Sequence, residues 1–139
     1  MENKRLSEFK KSIEKVLKDH KEIVAVYIYG SMVGGIYRED SDLDIGILLD
    51  DAFREEPLYP ARLAREIKLG CDIDRPVDVQ ILNHCSLRFL HQVLRNGELI
   101  LSHDERKRVE FESTALCRYI DFKPFYREYD EERSRRLLA

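Results

Sequence analysis

The stretch YGSMVGGIYREDSDLDIGILLD, residues 29–50, decides how the chain folds and where its chemistry lies. Upstream, IVAVYIY (residues 23–29) is β-branched and aromatic, the composition of a buried strand, and Gly30 stops it. Downstream, DLDIGILL reads as a second strand. Side chains two apart on a strand point to one face, so Asp42 and Asp44 project together while Leu43 and Ile45 project to the other. A strand that only packs against a core has no use for two carboxylates.

Two carboxylates this close repel one another unless a cation neutralises them. Ligands that are all oxygen favour a hard ion, Mg²⁺ or Mn²⁺. A third candidate is Asp78 in RPVDVQIL (residues 75–82), a lone charge between Val77 and Val79 on a third predicted strand. Asp72 and Asp74 lie nearby, with Asp74 the alternative, but Asp78 has the better strand pattern. If its strand pairs with the second, Asp78 stands beside Asp42 and Asp44. Three acids on neighbouring strands can hold two metals, orient a nucleoside triphosphate and activate a hydroxyl. Gly30-Ser31 supplies the other half. Glycine lets backbone approach a phosphate, and the Ser31 hydroxyl and following amides can donate to its oxygens.

The flanking elements alternate. Leu6, Phe9, Ile13, Val16 and Leu17 predict an amphipathic first helix. SMVGGIYRED is a connection with at most one or two helical turns. Leu58, Ala61, Ala64 and Ile67 mark a second helix ending near Gly70. Ser86 caps a third, carrying Leu87, Leu90, Val93 and Leu94 and stopping at Gly97. ELILS reads as a short edge strand. From about residue 103 the chain is helical, with Phe111, Ala115, Tyr119 and Phe122 on one side and a break or kink at Pro124. This predicts one α/β (α+β) domain over residues 1–139, a small mixed sheet flanked by helices, with a helical C-terminal tail over about 103–139.

Composition narrows the class. A net charge of −3 argues against a broad grip on nucleic acid, so no direct nucleic-acid contact is expected. Three unpaired cysteines, Cys71, Cys85 and Cys117, point to reduced thiols in the cytosol. No apolar run approaches the ~20 residues that cross a bilayer, and the N-terminus lacks a signal-peptide core. A soluble cytoplasmic protein is expected. His20, His84, His91 and His103 have no metal-ligand spacing, and no serine sits in a nucleophile elbow. Arg38, inside the loop, is either a triphosphate contact or a solvated charge.

GSMVGGIYREDSDLD resembles the Gly-Ser-x10-Asp-x-Asp signature of the DNA polymerase β-like nucleotidyltransferase superfamily. The whole pattern, down to the tail RYIDFKPFYREY, resembles the minimal nucleotidyltransferases, the MNT (MntA-type) antitoxins that pair with HEPN-domain toxins. The double glycine Gly34-Gly35 departs from relatives with one glycine there. The resemblance implies Gly30 and Ser31 at the phosphates, Asp42 and Asp44 at Mg²⁺, and Asp78 as third acid. It implies an ATP-using protein adenylyltransferase that moves AMP to a tyrosine hydroxyl of a cognate HEPN ribonuclease toxin; the lack of a spanning apolar run adds the expectation of no membrane partner. Two other readings stay open: a non-catalytic antidote that masks the toxin, and a transferase acting on a small molecule such as an aminoglycoside. The aromatic cluster Phe122, Phe125, Tyr126 and Tyr129 either covers the chain's own sheet or forms an interface.

Overall fold

A computed structural model describes residues 2–30, 33 and 42–138. Helix α1 (Glu2–Leu17) leads into β1 (Ile23–Tyr29), then β2 (Leu43–Leu49), α2 (Tyr59–Gly70) and β3 (Val77–Ile81). A 3₁₀ turn (Leu82–His84), α3 (Leu87–Asn96), β4 (Glu98–Ser102) and α4 (Glu105–Leu138) complete the order. The strands form one mixed sheet in the order β3-β2-β1-β4, with β4 at an edge. β1 pairs antiparallel with β2 and β4, and β2 pairs parallel with β3. A parallel pair cannot be joined by a tight turn, and α2 supplies the crossover.

Strand alternation separates two apolar layers. On one face Val26, Ile28, Ile45, Ile47, Val79 and Ile81 meet Ile13 and Leu17 of α1 and Leu63 and Ile67 of α2. On the other, Tyr27, Leu48 and Leu82 meet Leu90 and Val93 of α3 and Ala115 of α4. The register slips between Ile23 and Ala25, which turns both Val24 and Ala25 toward the second layer. Asn83 clips the end of β2 by imitating a strand partner. Its Oδ1 accepts from the Leu49 amide and its Nδ2 donates to the Leu49 carbonyl, each at 2.9 Å. Ser86 caps α3 by accepting from the Phe89 amide at 3.2 Å.

Two details differ from the sequence reading. The buried stripe of α2 is Leu63 and Ile67, with Tyr59 half-buried one turn earlier, whereas Leu58 and Ala61 are exposed. The Tyr59 hydroxyl donates to Glu22 at 2.9 Å, which helps hold the helix in that rotation. The last helix also continues through Pro124. Proline removes one N–H and displaces the carbonyl four residues back. That residue is Ile120, 58% exposed, so water can satisfy the freed carbonyl.

Candidate functional site

The acids gather where β1 ends and β2 and β3 begin. Asp44 stands opposite Tyr29 across the antiparallel ladder and opposite Asp78 across the parallel one. Cross-strand partners share a face, so Tyr29, Asp44 and Asp78 form one row on the α3 side of the sheet. The next row is Tyr27, Gly46 and Gln80. Gln80 donates from Nε2 to the Asp78 carboxylate at 3.3 Å. Asp42 lies just before β2 and is exposed, Asp44 is half-buried, and Asp78 is exposed. Asp74, the alternative third acid, lies in the segment before β3, outside the ladder.

Gly30 is required twice over. Its φ of +82° lies in the left-handed region, and the Val33 amide donates to its carbonyl at 3.2 Å to close a tight turn. A Cβ built at Gly30 would also collide with Oδ2 of Asp44. The glycine lets the end of β1 bend directly over the acid. Ser31, Gly34, Gly35 and Arg38 lie outside the described residues.

Burial, then the negative charges of Asp78 and Asp42, pushes the Asp44 carboxyl up to about 6. The same surroundings raise the Tyr29 phenol: burial first, then Asp44, Asp78 and Cys85. Tyr29 meets Phe89 of α3 edge-on at 5.5 Å, so an aromatic wall backs the acids. Among the described residues no three histidine, cysteine or acidic side chains form a ready-made metal cage. Still, the donor set is all oxygen, open on one side, and its mutual repulsion is what a hard divalent cation relieves.

Tyr29, Phe89 and Gln80 were not singled out from the sequence. Tyr29 sits inside the diagnostic stretch, but its bearing on the acids depends on register. Phe89 depends on how α3 docks. The histidines are engaged elsewhere. His20 bridges Glu22 and Glu66 at 2.9 and 2.8 Å, and His84 meets Glu55. His91 stacks on Tyr119, and His103 Nδ1 lies 2.9 Å from the Ile23 carbonyl.

Sheet order, register and glycine turn together are those of a nucleotidyltransferase fold. The family model described as "Polymerase beta, Nucleotidyltransferase" matches residues 11–106, a span that includes all four strands. The chain belongs to the polymerase beta nucleotidyltransferase family. No curated protein matches it. Among solved structures, it is similar to a chain of a toxin-antitoxin complex crystallised with AMP-PNP. The TM-score is 0.73 at 22% identity, covering 94% of this chain and 98% of that one. It is also similar to a chain of the tri-AMPylated Shewanella oneidensis HEPN toxin in complex with MNT antitoxin, with TM-score 0.70, 18% identity and 100% of both chains covered. A protein assigned as a minimal nucleotidyltransferase is 26% identical, with TM-score 0.54, over 70% of this chain and 95% of its own. At these identities the likeness to the two complexes concerns the fold. Among the described residues no helix is long and apolar enough to cross a membrane.

Proposed function

We propose that the chain is the antitoxin of a HEPN/MNT-type pair and works as a protein adenylyltransferase. It moves AMP from ATP to a tyrosine hydroxyl of its cognate HEPN toxin, which neutralises the toxin. The observation that carries this reading is the row of Asp44 and Asp78 beside the Gly30 turn. The similarity to toxin-antitoxin structures, one with AMP-PNP and one with an AMPylated toxin, supports the choice of donor and acceptor.

In this mechanism the turn at Gly30 and Ser31 receives the triphosphate through backbone amides and the serine hydroxyl. Asp42, Asp44 and Asp78 would hold Mg²⁺ or Mn²⁺, which when bound offsets their repulsion and polarises the phosphate oxygens. The half-buried Asp44 anchors the set, while exposed Asp42 and Asp78 leave the front open to the acceptor. A tyrosine hydroxyl titrates near ~10, so at neutral pH its proton must be taken as it reacts. In this reading Asp78, which accepts a hydrogen bond from Gln80, takes that proton. The phenolic oxygen bonds to the α-phosphorus, the bond from that phosphorus to the β-bridging oxygen breaks, and pyrophosphate leaves.

Label transfer tests the donor chemistry. With toxin and Mg²⁺ present, label at the α-phosphate should remain on the toxin and label at the γ-phosphate should leave with pyrophosphate. Retention of the γ label would mean phosphoryl transfer and overturn the reading.

A further inference from the structure

The aromatic cluster of the tail does not cover the sheet. Phe122, Phe125 and Tyr129 are 50%, 65% and 62% exposed, on a helix whose buried side earlier carries only Ala115. At ~1.5 Å per residue, α4 is about 51 Å long and α3 about 15 Å. The two helices stay together as far as the first turn of α3. There the Arg88 guanidinium lies 5.2 Å from the Tyr126 ring and pairs with Asp130. Beyond that pair α4 has no described partner element.

The neighbouring residue on α3 leads to the acids. Phe89 packs on Tyr29, and Tyr29 stands opposite Asp44. Consecutive residues of α3 thus tie the tail to the candidate site: Arg88 meets Tyr126, and Phe89 meets Tyr29 beside Asp44. Its charge identifies the kind of occupant. Between Asp121 and Arg136 acidic and basic side chains are equal in number, which gives neither nucleic acid nor an anionic membrane a field to follow. Exposed aromatics and arginines rimmed by both signs suit a protein surface.

We propose that the distal face of α4, centred on Phe125 and Tyr129, is the docking surface for the acceptor protein, holding it so that its hydroxyl reaches Asp44 and Asp78. This rests on the adenylyltransferase reading above. It separates holding the acceptor (α4) from reacting with it (the acids).

Calorimetry and steady-state kinetics with the HEPN toxin, Mg²⁺ and ATP test it, using the full chain carrying Phe125→Asp and Tyr129→Asp together. Toxin affinity should fall at least ~10-fold, with KM for toxin rising in step. The rate at saturating toxin and the affinity for Mg-ATP should stay as in wild type. Leu69→Asp, at an exposed leucine on α2, should change neither. If the double variant loses helicity, Phe125→Gln and Tyr129→Gln, which keep good helix formers there, carry the same expectation. Unchanged toxin affinity in the α4 variants overturns the docking proposal and leaves the enzymatic reading standing. Should those variants turn a dimer into a monomer with toxin binding intact, a second copy is the occupant and the proposal is overturned. Should wild type bind toxin by this face yet transfer nothing, the enzymatic reading falls while the docking surface survives as that of a masking antidote.

Discussion

Gly30 and Asp44 constrain one another, and several consequences follow at that scale. Gly30→Ala must distort either the left-handed turn or the carboxylate under it, at a cost of ~1–3 kcal/mol. Urea unfolding should show that loss, and calorimetry a weaker grip on Mg-ATP. Asp44→Asn acts through charge. Its carboxyl is raised from 3.8 to about 6 in the fold, so its stabilising protonation is complete below 3.8 and lost as pH climbs through about 6. At pH 7 the ionised group opposes folding. With a discount for solvent screening, Asp44→Asn should stabilise the metal-free protein by ~1–2 kcal/mol at pH 7 and give no advantage near pH 4. Thermal melts at the two pH values check this, and added Mg²⁺ should raise the wild-type melting temperature more than that of the variant. The phase of Asp42 and Asp44 could be read in the sequence because strand alternation is strict. The wall of Tyr29 and Phe89 could not, since it needs strand register and helix docking, neither of which leaves a local pattern.

At the scale of elements, the strands, the caps and the buried faces of α1 and α3 were readable, and the rotation of α2 was not. Helix α2 carries apolar residues on two sides, Leu58 and Ala61 on one and Leu63 and Ile67 on the other, and only tertiary packing selects between them. The His20 clamp joins the turn before β1 to α2. Burial alone would lower the His20 pKa, but its hydrogen bonds to the Glu66 and Glu22 carboxylates outweigh it and leave the pKa raised above 6.5. Stability from this clamp is complete below pH 6.5 and lost as pH rises through the raised value. Denaturation from pH 6 to 9 should show the decline, and His20→Gln should flatten it. Pro124 was read as a break or kink because proline interrupts a buried helix; α4 continues through it where the freed Ile120 carbonyl is open to water. Pro124→Ala should therefore slow amide exchange across residues 124–130, and unchanged exchange would mean that the proline is not the weak point of α4.

For the whole molecule, one small mixed sheet brings the Gly30 turn and three acids to one end and leaves a long helix projecting from the layer on the same face. The mixed-sheet architecture was readable because helix and strand periods alternate along the chain. The strand order was not, because parallel and antiparallel pairing share the same apolar pattern. The central claim is that the row of acids transfers AMP to the toxin, and intact mass spectrometry of toxin incubated with this protein, ATP and Mg²⁺ tests it most directly. The account predicts a gain of about 329 Da per adenylyl group on the toxin, with loss of its ribonuclease activity, and neither with Asp42→Ala. Neutralisation without any mass change, equally complete with Asp42→Ala, would contradict it.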